Sequence, residues 1–105
     1  MKRYAVVFTP EARDQLVALY RLIATEASPD IALRYTDTIM SRCEALSLFP
    51  GRGTARDDIR PGLRITSFRK RSVIAFTVDA DRVAILGIFH GGQDYEAALE
   101  AGDMD

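Results

Sequence analysis

The sequence predicts an α+β fold: an N-terminal strand, an antiparallel two-helix hairpin, a three-stranded antiparallel meander packed on the hairpin, and a short C-terminal helix. Three observations predict it. The first half holds two stretches with apolar residues at helical spacing, each opened by a capping residue followed by proline. The second half holds three runs rich in β-branched and aromatic residues, separated by short turns. At 105 residues and 48% apolar composition, with no linker-like change along the chain, one core suffices, so residues 1–105 are read as a single domain.

Tyr4 to Phe8 reads as a short strand stopped by Thr9-Pro10. Thr9 is the N-cap of the first helix, with Pro10 at its first position and Glu11 and Asp14 near the positive end of its dipole. Ala12, Leu16, Leu19, Tyr20 and Ile23 form its apolar stripe, and it should end near Thr25 to Ala27. Ser28-Pro29 repeats the start signal. The second helix carries Ile31, Tyr35, Ile39, Cys43 and Leu46 inward and runs to about Leu48, before Phe49-Pro50-Gly51 breaks it. Arg60-Pro61-Gly62-Leu63 fits a type II turn.

Strands follow at about Leu63 to Phe68, Ser72 to Val78 and Arg82 to His90, with turns at Arg69 to Arg71 and Asp79-Ala80-Asp81. Strict alternation in the last strand places Ala84, Leu86, Ile88 and His90 on one face and Val83, Ile85, Gly87 and Phe89 on the other. Both faces are apolar, so the strand is expected to be central and covered on both sides. The hairpin covers one. For the other, a binding partner, a second copy or the C-terminal helix all serve; Asp94 is placed to cap that helix, through Tyr95 to Leu99.

Net charge is −1, which argues against a protein that coats nucleic acid by bulk attraction. Its distribution is uneven. Residues 52–71 carry seven basic residues against two acidic ones, whereas 94–105 carry five acidic residues and no basic one. The N-terminal apolar run is too short for a signal peptide and no window approaches a membrane span, so a cytoplasmic location is expected. The one cysteine, Cys43, sits in a helical pattern and reads as a packing thiol. No zinc spacing, phosphate loop or Ser/His/Asp set is present, and no cofactor is expected.

His90, the only histidine, is the acid or base candidate. Arg64 or Arg69 on neighbouring strands can stand beside it and clamp a phosphate. The competing reading is a hydrogen-bonding residue at a strand end. Asp79-Ala80-Asp81 lacks a third metal ligand and reads as a turn, Gly91-Gly92 as an exit from the sheet or an anion nest, and Tyr95 as a packing residue or a stacking platform.

Four strings in this order resemble one family: Phe8-Thr9-Pro10-Glu11-Ala12, Ala45-Leu46-Ser47-Leu48-Phe49-Pro50-Gly51, Arg60-Pro61-Gly62-Leu63-Arg64, and Ile85 through Asp94. With the order of elements, they resemble the RelE/ParE superfamily of small bacterial toxins from Tyr4 to about Leu99, leaving 94–105 largely as a C-terminal extension. The resemblance implies a toxin held inactive by a cognate antitoxin, as a toxin–antitoxin complex that includes heterotetramers, or a homodimer when free. It also implies one of two targets. The ParE branch poisons DNA gyrase, and here the contacts would be Arg60, Arg64, Arg69, Lys70 and Arg71. The RelE branch cleaves mRNA on the ribosome, and here His90 would move the proton while Arg64 and Arg69 hold the phosphate. A homologue that binds antitoxin without toxicity is a third possibility. The long hairpin and the Arg-Pro-Gly-Leu-Arg string look more ParE-like. His90 is followed by Gly91-Gly92 and not by the further Arg or Tyr of RelE-type ribonucleases, and the charge balance is acidic where these toxins are commonly basic.

Overall fold

The computed structural model describes residues 3–100; of the extension assigned to 94–105, residues 101–105, with Asp103 and Asp105, lie outside the described residues. Strand β1 (Ala5–Phe8) leads into helix α1 (Pro10–Glu26) and helix α2 (Pro29–Ala45). A two-residue strand, β2 (Thr54–Ala55), precedes β3 (Leu63–Phe68), β4 (Ser72–Val78), β5 (Arg82–His90) and helix α3 (Tyr95–Glu100). The sheet runs β1-β5-β4-β3-β2, with β1 parallel to β5 and the other pairs antiparallel. The meander predicted from sequence is therefore its centre, extended by one strand on each side.

Both long helices start where their caps place them. The Ala12 N–H donates to Thr9 Oγ1 at 3.1 Å and the Ile31 N–H to Ser28 Oγ at 3.2 Å, satisfying amides that the first turn leaves without helical partners. The second helix ends at Ala45, three residues before the sequence estimate, and the chain passes through turns to Pro50. At Arg60–Leu63 the Leu63 N–H donates to Arg60 O at 3.1 Å and Gly62 takes φ 80°, a conformation without steric cost only for glycine.

Ala12, Leu19, Ile39 and Cys43 of the hairpin meet Phe68, Ile74, Phe76, Val83, Ile85 and Ile88 of the sheet in the main core. Burial pushes the Cys43 thiol up to about 12, with Glu44 adding to the shift, so at neutral pH it is a protonated packing group and not a nucleophile. The opposite face holds a second cluster of Leu63, Ala75, Leu86, Phe89 and Leu99, flanked by Ile59, Tyr95 and Ala98. The cover for that face is thus supplied within the chain, by α3 and the segment around Ile59.

Two expectations are corrected: Ile31, read as inward on the second helix, is 49% exposed, and the strict alternation of the last strand is broken. Ala75 pairs with Gly87 but Phe76 pairs with Ile85, so Leu86 is an extra residue in β5, a β-bulge. The bulge inverts the alternation beyond it. Ile88 joins Val83 and Ile85 on the hairpin side, while Leu86 and Phe89 join Ala84 on the α3 side. The freed backbone groups find partners on the hairpin: Thr9 Oγ1 donates to Leu86 O at 3.2 Å, and the Ile88 N–H donates to Gln15 Oε1 at 2.7 Å. His90, two residues beyond Ile88, consequently reaches the helices and not α3.

Candidate functional site

The tip of the β3–β4 hairpin gathers the chemistry. Ser72 is opposite His90 in the β4–β5 register, and Ser72 Oγ lies 2.9 Å from His90 Nδ1 and 2.9 Å from the Tyr35 hydroxyl. Since Ser72 is only 1% exposed, its hydroxyl is a fixed link between the other two. The Tyr35 ring meets the His90 ring edge-on at 5.8 Å and the Phe68 ring edge-on at 5.3 Å. The Arg69 guanidinium lies over Tyr35 at 5.8 Å and over Phe68 at 5.1 Å, and Arg42 of α2 lies over Phe68 at 5.5 Å. A hollow of about 450 Å³ beside this group is lined by Ile31, Arg34, Tyr35, Asp37, Thr38 and Arg69.

The sequence-predicted cations divide into two sets. Arg69, Lys70 and Arg71 are exposed at the tip, with Arg69 and His90 sharing Tyr35 as a neighbour. Arg64 is opposite Phe76, well along β3 from the tip, and its guanidinium donates to the carbonyls of Gly51, Arg52 and Gly53 at 2.6, 3.2 and 3.2 Å. Arg60 donates to Leu99 O at 3.0 Å. Arg56 donates to both oxygens of Asp58, to Glu96 and to the Tyr95 hydroxyl. These bonds, Asp58 first, raise the Arg56 pKa, and Arg56 in turn lowers that of Asp58. Three of the seven basic residues, Arg56, Arg60 and Arg64, therefore fasten the 51–53 loop and α3 to the sheet. Tyr35 and Ser72 were not anticipated; the signal available was a serine next to a basic turn and a tyrosine on the inward stripe of the second helix.

Burial holds the His90 pKa below its ordinary 6.5, and the positive charge of Arg71 lowers it further, against an opposing pull from Glu26. The unfolded chain takes up this proton at higher pH than the folded one. His90 thus contributes stability that is present above about pH 6.5 and is lost as the pH falls through its lower folded value. Chemical denaturation at about pH 7.5 and about pH 5.5 should show a smaller loss of stability on acidification for His90→Gln than for the parent. An equal loss in both would contradict the assignment.

A second hollow, about 300 Å³, lies on the other side of His90, lined by Gln15, Ala18, Leu19, Leu22, Ile88 and Gln93 as well as His90 itself. It exists because β1 pairs with β5 only as far as Ile85, leaving the end of β5 without a strand neighbour on that edge. A third, about 350 Å³, is lined by Phe8, Arg13, Leu16, Val17 and Met40. Val7, Val17, Leu22, Ile31 and Leu33 are between 40% and 53% exposed, an apolar patchwork on β1 and the hairpin. Among the described residues no group of three His, Cys, Asp or Glu is placed to hold a metal, and no helix is long and apolar enough to cross a membrane.

This architecture is that of a small toxin of the RelE/ParE superfamily, and the comparisons agree with it. The family model described as the ParE toxin of the type II toxin–antitoxin system parDE matches residues 6–95. The chain belongs to that family. The fold is similar to a chain of the chromosomal ParDE TA system from P. aeruginosa, with TM-score 0.74 and 22% identity over 85% of this chain and 97% of that one. It is also similar to a chain of the toxin–antitoxin complex RelBE2 from Mycobacterium tuberculosis, with TM-score 0.62 and 24% identity over 89% of this chain and 97% of that one. No curated protein matches the sequence.

Proposed function

We propose that the protein is a cytoplasmic toxin that inhibits DNA gyrase through protein contacts, acts without a cofactor, and is neutralised by a cognate antitoxin. The observation that favours gyrase over mRNA cleavage is the dispersal of the ribonuclease set. Arg64 is tied to the 51–53 carbonyls away from His90, and His90 Nδ1 is engaged by Ser72, so of the three residues only Arg69 and His90 share a neighbour, the Tyr35 ring. A phosphoryl-transfer site needs its cations aimed together at the charge that develops. The exposed tip, Arg69 to Arg71, offers contacts to a target without such geometry.

The apolar patchwork supports an antitoxin partner. An amphipathic segment lying across Val17 and Leu22 would bury them. The test of the proposed activity is toxin-dependent trapping of cleaved plasmid by purified gyrase, reversed by antitoxin.

A further inference from the structure

Arg69 and Lys70 form the turn between β3 and β4 with φ of 52° and 61°, and the Arg71 N–H closes it onto Phe68 O at 3.2 Å. Two consecutive left-handed residues make a mirror-image turn of the kind that suits the twist of a hairpin, and Asn-Gly is the sequence that adopts it without strain. Long side chains resist that backbone, because Cβ crowds the following carbonyl. Here the tightest point of the sheet is nevertheless given to two cations. Strain retained in a packed structure points to a use for the side chains that bear it.

The charge at this point is also uncancelled. Both ion pairs among the described residues belong to Arg56, on another part of the surface. Arg69, Lys70 and Arg71 are exposed and in no ion pair among the described residues, and Arg34 faces the same hollow as Arg69, with Asp37 its one carboxylate. The aromatic surface beside it is already engaged. The face of Tyr35 is covered by Arg69, and its ring meets Phe68 and His90 edge-on. Single strands are held by stacking their bases on open ring faces, and the Tyr35 face nearest these cations is taken by Arg69. Exposed cations whose nearest ring face is occupied suit a partner read through its phosphates.

We propose that the Arg69-Lys70-Arg71 tip is a docking site for the phosphodiester backbone of duplex DNA, gripped without readout of bases. The strained turn sets the three side chains at the outermost point of the sheet. Arg69 is steadied by the two rings beneath it, which limits the rotamer freedom lost on contact. This goes beyond the gyrase reading, because the site needs no gyrase to act.

The test measures anisotropy of a labelled DNA duplex of about 20 base pairs with the full chain alone. Three phosphate contacts give a salt slope near −2.7, so affinity should fall about 40-fold between roughly 50 and 200 mM salt. The variant Arg69→Asn with Lys70→Gly keeps the hairpin and relieves its strain, so its thermal midpoint should equal or exceed the parent's. Its affinity at low salt should drop at least tenfold, and the salt effect should shrink to about 3- to 4-fold, from Arg71 alone. Duplex binding that is the same in parent and variant, or absent from the parent at low salt, would overturn the proposal. So would tighter binding of the single strand that depends on Tyr35. Because gyrase is absent, either failure leaves the gyrase reading intact.

Discussion

Gly53→Ala is expected to destabilise the fold by roughly 2–5 kcal/mol, a large share of the ~5–15 kcal/mol that a domain of this size has. Gly53 sits at φ 82°, and a Cβ there would stand 2.2 Å from Ile65 O and 2.9 Å from Ile65 C. Those are backbone atoms of β3, held in register on both sides, so they cannot rotate away as a flexible side chain would. The loop must move instead, and the carbonyls of residues 51–53 that accept from Arg64 move with it. Gly51 and Gly62 calibrate the effect. A Cβ on either meets nothing within 4 Å, but only Gly62 has a positive φ, 80°. Gly62→Ala should therefore lose about 1–2 kcal/mol from backbone strain alone. Gly51→Ala should stay within about 0.5 kcal/mol of the parent. Urea denaturation of the three variants measures the order directly. Similar losses at Gly51 and Gly53 would show that the loop is not packed on β3 as described.

Val17→Asp is expected to weaken antitoxin binding about 100-fold while leaving the toxin folded. Val17 is 48% exposed and lines the hollow with Phe8, Leu16 and Met40, so an aspartate there stays hydrated in the free protein. Covered by an apolar antitoxin segment, the same carboxylate would lose its water without gaining a donor. Arg13 borders the hollow as its one cation, and Arg13→Ala beside Val17→Asp removes any compensating pair. Titration calorimetry with the purified antitoxin reads the change, and circular dichroism checks the fold. Unchanged affinity would move the antitoxin to another surface.

Most of the fold was legible because its signals are local. The capping pairs Thr9-Pro10 and Ser28-Pro29 start helices at Pro10 and Pro29, and the three long strands fall at the expected residues, since short-range pattern specifies both. The two-residue strand β2 was missed because so short a pairing leaves no alternation to read. The inverted end of β5 was missed for a different reason. A bulge shifts every later residue to the other face, and its one trace in the sequence was a glycine, Gly87, inside an apolar strand.

The site was legible in part. The positions of Arg69, Lys70 and Arg71 at a hairpin tip follow from turn pattern. That Arg60 and Arg64 are turned to backbone carbonyls does not, because charge counting treats every arginine in a block alike. Nor does the link from His90 through Ser72 to Tyr35, which joins three distant residues through the β4–β5 register and the packing of α2. Tertiary placement decided which cations remain available to a partner.

Inhibition of gyrase is tested by incubating the antitoxin-free toxin with purified gyrase, supercoiled plasmid and ATP. Products are scored after detergent and protease treatment. A gyrase poison gives toxin-dependent linear DNA that disappears when antitoxin is added, with His90→Ala retaining the activity. Undiminished supercoiling with a demonstrably folded toxin would contradict it and direct the search to translating ribosomes, where Arg69 and His90 would be the residues to substitute.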